Sequence, residues 1–310
     1  MTAERPSIVV IAGPTATGKT RLAVDLALQL GGEIVNADSM QVFRGMDVGT
    51  AKPTEEEKQG IPHHMIDVAD PDETFNAAVY RREAVPVIER ISRAGSPCYV
   101  VGGSGLYIRA LLGGLFDCPE GSDAVRRKLR IHWEEEGPRA LHERLRSLDP
   151  DAAEAIHPHD RVRVLRALEV MELTGRRFSS VARDHGFREQ VFRALKICLY
   201  MERERLYERI NQRAHVMIRN GLVEETRDLL EKGYSPELKP LQSIGYRHAV
   251  AFLSGDWDLE TLIERLQADT RKYAKRQLTW FRGDPEYRWR TPEEGDRIRQ
   301  EVAEFYRRSS

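Results

Sequence analysis

The stretch IVVIAGPTATGKT, Ile8 to Thr20, constrains this chain more than any other. A short apolar run, Ile8–Ile11, feeds a glycine-and-proline turn ending in Lys19-Thr20. Leu22, Leu26 and Leu30 then recur at spacing four, which predicts a helix, and Gly31-Gly32 supplies its end. Gly13-Pro14-Thr15-Ala16-Thr17-Gly18-Lys19-Thr20 fits G-x-x-x-x-G-K-[ST] in full, and its place between strand and helix is what gives the motif meaning. The glycines let successive amides turn inward as an anion nest at a helix N-terminus. Lys19 adds a point charge, and Thr20 offers a hydroxyl to Mg²⁺, the expected cofactor. These eight residues should bind a diphosphate or polyphosphate, whatever molecule carries it.

The first hundred residues continue the alternation. EIVNAD is a second short strand finishing at Asp38. FNAAVYRREAVPVIERISRAG reads as helix, with Pro86 predicting a kink or an early break. PCYVVGGSGLY repeats the strand, glycine turn and helix of the opening. Such βαβ units build a parallel sheet with ligands at the carboxyl ends of its strands. From Ser122 to about Gly186 the pattern is helical, heavily charged and without a convincing strand. FRALKICLYM restores a strand, a helix running to Gly221 follows, and the remainder reads as helical apart from turns. The expected fold class is α/β, a P-loop NTPase-like parallel sheet core flanked by helices, carrying an all-helical insertion domain. The core is placed at residues 1–117 and 190–310 and the insertion at 118–189.

Composition removes other classes. No apolar run is long enough to span a membrane, and Glu4 and Arg5 run straight into the first strand, so a secretory signal is not expected. Cys98, Cys118 and Cys198 are few and far apart, which argues against a disulfide framework or zinc site and for a reducing cytoplasm. The histidine pairs His63-His64 and His157/His159 lack a convergent ligand set. With 48 Lys+Arg against 49 Asp+Glu, overall charge does not decide for or against a nucleic acid. Local charge is more telling: RKYAKRQLTWFR, Arg271 to Arg282, holds five basic residues, three aromatics and no acid. The expectation is a cytoplasmic protein and a monomer.

Two further stretches bear on chemistry. Asp38, at the end of the second strand, can face phosphates bound on the first loop; it can hold Mg²⁺, bind an acceptor hydroxyl, act as a base, or simply cap a turn. Ser104 closes another strand's glycine turn, where a hydroxyl faces the same cleft or the glycines merely make the turn. An apolar strand ending in Asp or Glu, the usual partner of this phosphate loop in ATPase motors, is missing, since CYVV runs into Gly-Gly-Ser.

GPTATGKT, DSMQVFRGMDVGTAKP, HHMID, VVGGSGLYIRALL, IHPHDRVRVLRALEV, RINQR, GLVEE, IGYR and TRKYAKRQLTWFR occur in the order seen in bacterial tRNA dimethylallyltransferases, also called tRNA isopentenyltransferases, and the chain resembles that family along almost its whole length. It departs from the usual pattern at Thr17, Phe43, Ser104 and Arg247-His248, where the family generally has Ser, Tyr, Thr and Lys-Glu.

The resemblance implies transfer of a dimethylallyl group from dimethylallyl diphosphate to the exocyclic amine of the adenosine just 3′ of the tRNA anticodon. It implies Asp38 as base, and Lys19, Thr20 with Mg²⁺, the loop amides and Arg213 as stabilisers of the departing diphosphate. Ser104 would bond near the reacting amine or the diphosphate. It implies tRNA contacts from Asp38, Ser39, Met40 and Gln41, from Ser104 and Arg126, and from Val162, Arg163 and Arg166, with the insertion gripping the anticodon stem-loop. Taken alone, each arginine reads better as a solvated helix face than as an RNA contact. The alternatives from the residues are a P-loop nucleoside or small-molecule kinase and a non-enzymatic RNA-binding nucleotide switch.

Overall fold

The computed structural model describes residues 5–115, 122–185 and 190–308. Cys118 and the expected domain limits at 117–118 and 189 fall outside them. The chain divides into two compact units, Met1–Leu112 with Gln190–Ser310, and Gly113–Glu189.

The first unit is built on six parallel strands in the order β3-β2-β4-β1-β5-β6. In chain order, β1 (Ser7–Ala12) leads to α1 (Lys19–Leu30), β2 (Glu33–Asn36), α2 (Glu55–Lys58) and β3 (His63–His64). Then come α3 (Ala77–Arg93), β4 (Cys98–Gly102) and α4 (Gly105–Gly113). β1 is buried from Ile8 onward because it lies between β4 and β5 with helices over the sheet, so its sequence is continuously apolar rather than alternating. α1 buries Leu22, Ala23, Val24, Leu26 and Ala27 and ends at Gly31, whose φ of 74° suits glycine.

α3 runs through Pro86 without the early break that was one of the two outcomes expected from sequence. Tyr80, Ala84, Ile88 and Ile91 anchor one face of it, on both sides of the proline, and that burial outweighs one missing hydrogen bond. Tyr80 itself is fully buried and stacked on Tyr107 at 4.5 Å between centroids, yet its hydroxyl has no hydrogen-bond partner among the described residues. Replacing it with Phe should raise stability by about 1 kcal/mol, because an unpaired buried hydroxyl is removed at constant shape; a urea midpoint that falls would show the hydroxyl to be satisfied.

In the second unit α5 (Asp123–Leu148), α6 (Pro150–Ala155), α7 (Arg161–Thr174) and α8 (Phe178–His185) account for every described element. α5 turns at Gly137, where φ is 83°, ahead of Pro138. Its core joins Leu129, Leu141 and Leu145 to Ala152, Ile156, Val164 and Leu168. Asp149 caps α6 and also accepts Ser179 N–H and Oγ–H, each at 2.7 Å. Burial would raise its carboxyl, but the Ser179 and Ala152 hydrogen bonds outweigh that and hold it below the usual range.

The chain returns to the sheet through β5 (Arg193–Leu199). α9 (Arg203–Arg219), α10 (Leu222–Glu231), α11 (Tyr246–Leu253) and α12 (Leu259–Arg282) follow, then β6 (Arg288–Arg290) and α13 (Gly295–Arg307). β6 and β3 are corrections to the sequence reading. Each is an edge strand of three or two residues, too short for any periodicity to show. α13 closes the core with Ile298 and Val302 against α1, and its Tyr306 hydroxyl pairs with both backbone groups of Cys98. No helix among the described residues is long and apolar enough to cross a membrane.

Candidate active site

In a parallel sheet the loops leaving β1, β2, β4 and β5 share one edge, so the topology alone brings residues 13–18, 37–52 and 103–104 together. Contacts between the loops are close. A Cβ on Gly13, where φ is 139°, would stand 2.4 Å from the Leu199 carbonyl oxygen at the end of β5. One on Gly102 would stand 2.1 Å from the Ala37 carbonyl oxygen.

The phosphate loop is preshaped. Ala16 and Gly18 are left-handed, with φ of 66° and 89°, and Gly18 caps α1. Thr17 is fully buried and its hydroxyl donates to Pro14 O at 2.8 Å, so this side chain braces the loop itself. The Lys19 ammonium donates to the same carbonyl at 2.8 Å. Burial pulls Lys19 down to about 8; Arg213 adds to that and Asp38 opposes it. A diphosphate favours the ammonium form, so binding above that value must take up a proton. Affinity for an organic diphosphate should therefore be level below pH about 8 and fall roughly tenfold per pH unit above it. Calorimetric titration would read this, and Lys19→Met should abolish the step; a parent profile without a step would refute it.

Asp38 fills one of the roles open to it from sequence, that of a turn cap. Its Oδ1 accepts the N–H groups of Met40 at 2.9 Å and Gln41 at 3.4 Å, so it caps the turn that begins the DSMQ segment. Its charge also acts on Lys19, Arg213, Tyr107 and Tyr273, which therefore converge on it from α1, α9, α4 and α12. The Arg213 guanidinium, lowered from its ordinary value by burial and sustained by Asp38, lies 3.5 Å from Thr15 Oγ1. Ser104 ties two loops: its Oγ accepts Ser39 N–H at 2.8 Å, and its own N–H donates to Ala37 O. Lys19, Arg213, Asp38, Ser104 and residues 13–20 are thus grouped in one place.

The residue that sequence reasoning missed is Gln277. It is 5% exposed, accepts Thr15 N–H at 2.9 Å and donates to Gly103 O at 3.0 Å, so one amide spans the phosphate loop and the β4 loop. Gly103 is glycine because a Cβ there would stand 2.2 Å from Gln277 Nε2. One turn earlier on α12 stands Tyr273, whose hydroxyl is pushed well above its ordinary value by burial. The signal of Gln277 in TRKYAKRQLTWFR is a neutral amide, on the buried side of the helix, set among basic residues.

The remaining motif blocks hold the 38–52 loop. The Glu225 carboxylate of GLVEE accepts N–H from Asp47 and Val48 at 2.8 Å and from Gly49 at 3.1 Å, plus the Tyr246 hydroxyl of IGYR. Lys52, almost fully covered, ties Phe43 O to Asp47 and Asp67. The Gln41 amide donates to Thr50 O and Ala51 O, so its NH₂ shapes the loop. His248 is fully buried and accepts Gly245 N–H, while Arg247 pairs with Asp269. These two residues, which depart from the family pattern, thus serve the α11–α12 packing.

Arg126, Val162, Arg163 and Arg166 all lie in the second unit. Arg126 and Arg166 are not simple solvated arginines: both reach the buried Glu169 at 2.7 Å, one on each carboxylate oxygen. Arg163 pairs with Asp160 at 3.3 Å, and Val162 is 78% exposed. Among the described residues no group of three His, Cys, Asp or Glu side chains can hold a metal. For a Mg²⁺ at this site, the Thr20 hydroxyl and oxygens of a bound diphosphate would be a donor set that suits an ion which keeps several waters.

A family model described as IPP transferase matches residues 41–284. The tRNA dimethylallyltransferase of Desulfosudis oleivorans is 51% identical over 291 residues, covering 94% of this chain and 93% of that protein. The tRNA dimethylallyltransferase 1 of Pelobacter propionicus is 52% identical over 284 residues, 92% of each. Among solved structures, the full-length tRNA isopentenylpyrophosphate transferase of Bacillus halodurans superposes with a TM-score of 0.74 at 38% identity, over 98% of both chains. A eukaryotic dimethylallyltransferase seen acting on tRNA gives 0.77 at 31% identity, over 93% of this chain and 75% of that one.

Proposed function

The chain belongs to the IPP transferase family and prenylates tRNA, and from that premise we propose how its residues divide the work. The donor is dimethylallyl diphosphate and the acceptor the exocyclic amine of the adenosine 3′-adjacent to the anticodon. The amine nitrogen forms a bond to the allylic carbon as the C–O bond to the diphosphate breaks; the amine proton goes to Asp38 and the electron pair leaves with the diphosphate. The observation that carries this division is the coupling of Asp38 to both Lys19 and Arg213 at the phosphate loop, a carboxylate base beside a cationic cradle.

Lys19, Arg213 and the amides of residues 13–20 receive the charge that develops on the leaving group, and being fixed before reaction they need no reorganisation then. Thr20 would hold Mg²⁺, which would supply further neutralisation of the same charge. Ser104, held by Ser39 and Ala37, orients the acceptor amine. The acceptor base must leave its stack to reach Asp38, so Ser39, Met40 and Gln41 meet the loop around it. Arg126, Val162, Arg163 and Arg166 meet the anticodon stem-loop from the insertion, which we place at about residues 118–189; Glu169 fixes the first and last of these arginines. We place the protein in the cytoplasm as a monomer. The kinase alternative has no support among the relatives.

Purified protein, unmodified tRNA and Mg²⁺ incubated with dimethylallyl diphosphate, and separately with ATP, decide the matter by nucleoside analysis. Prenylated adenosine only with the allylic donor is expected. No prenylated adenosine with it would overturn the assignment.

A further inference from the structure

We infer that Glu225, on α10, is a positioning residue for the acceptor side of the reaction, acting through the 47–51 turn on Gln41; this rests on the proposed tRNA reading. Its carboxylate gathers four donors. One oxygen accepts the N–H groups of Asp47 and Val48, each at 2.8 Å, and the other accepts Gly49 N–H at 3.1 Å and the Tyr246 hydroxyl. Three consecutive amides turned onto one anion form a nest, and here the anion is a side chain of the protein itself. Burial holds the Tyr246 hydroxyl far above its ordinary value, so it stays a donor. Gly49 lies against that ring: a Cβ there would stand 2.5 Å from Tyr246 and 2.9 Å from Leu222 Cδ1.

The turn needs such a hold. Ala51 is left-handed, with φ of 48°, a conformation that a non-glycine residue keeps only where its neighbours impose it. Its carbonyl and that of Thr50 accept the two bonds of the Gln41 amide, at 3.1 and 3.2 Å. Gln41 in turn gives its backbone N–H to Asp38 Oδ1. A continuous path thus runs from α10 to the turn, from the turn to Gln41, and from Gln41 to the proposed base. The diphosphate side is held separately, by the bonds of Thr17 and Lys19 to Pro14 O and of Thr15 N–H to Gln277. Losing Glu225 therefore disturbs where the acceptor base sits against Asp38 and leaves donor binding alone.

The test measures kcat/KM for unmodified tRNA, and the dissociation constant of dimethylallyl diphosphate by calorimetry, in the parent, Glu225→Gln, Gln41→Met and the double variant. Glu225→Gln keeps the side chain's shape but turns an NH₂ group onto the nest. Its kcat/KM for tRNA should fall about 10²-fold, with donor affinity unchanged. Because Glu225 acts through Gln41, the double variant should lose little more than the larger of the single losses. Losses that multiply, or a kcat/KM in Glu225→Gln within about threefold of the parent, overturn the inference. So does donor affinity that weakens in step with kcat/KM, the mark of general loosening. Should Glu225→Gln not fold, Tyr246→Phe takes its place. It removes the fourth donor, keeps the three amide bonds and should lower kcat/KM about tenfold at parent donor affinity; a parent-like kcat/KM there overturns the inference. A parent protein that does not prenylate tRNA at all brings down the tRNA reading, and this inference with it.

Discussion

Asp38→Asn is expected to cut kcat by about 10²–10⁴-fold, the usual span for a positioned base, while binding dimethylallyl diphosphate about as well as the parent at neutral pH. Asparagine keeps the oxygen that accepts Met40 and Gln41 N–H, so the turn survives and only basicity is lost. This makes it a cleaner test than alanine, which also removes the cap. A second readout follows from charge. Asp38 raises Lys19 against the pull of burial, so its loss should move the alkaline fall in donor affinity to lower pH than the parent's value of about 8. Turnover within threefold of the parent would place the base elsewhere. An unmoved pH profile would mean that Asp38 and Lys19 are not coupled.

Gln277→Leu should lower kcat/KM by roughly 10²-fold through misplacement rather than lost chemistry. The variant leaves the Thr15 N–H and Gly103 C=O without their shared partner in a buried place, and the loops they belong to carry the diphosphate and the acceptor-side serine. Gln277→Glu separates the two links. It still accepts Thr15 N–H, but it sets a carboxylate oxygen against the Gly103 carbonyl and adds negative charge near the leaving group. Donor KM should therefore rise further in the Glu variant than in the Leu variant. A purely structural role predicts instead that both variants lose activity only in proportion to a lower melting temperature.

The parallel core was legible because its strands are central and buried on both sides, so Ile8–Ile11 and CYVV announce themselves as continuous apolar runs. Glycines placed the turns, since Gly13 and Gly31 have backbone conformations or contacts no other residue tolerates. β3 and β6 were illegible, being short edge pairings decided by the strand beside them. Pro86 misled because a local rule met a well-buried helix face. The site residues were legible as types but not as partners. Thr17 carries a hydroxyl that suggests a ligand contact and in fact braces Pro14, and nothing in the spacing of Arg126, Arg166 and Glu169 reveals that two arginines share one buried carboxylate. Gln277 escaped notice because a neutral side chain gains significance only from two loops that approach it from far away in sequence.

That distance bears on how the enzyme comes into being. Thr15 and Gln277 stand 262 residues apart, so the phosphate cradle, although its sequence is complete within the first twenty residues, lacks its keystone until nearly the whole chain has been made. During synthesis the N-terminal strands emerge and pair early, but β5 must return past an entire helical unit before α12 can dock. A nascent or truncated chain ending before α12 would carry every recognisable phosphate-binding residue and still lack the brace that sets them against the acceptor loop. One of the last elements to be made thus completes the first site to be written in the sequence.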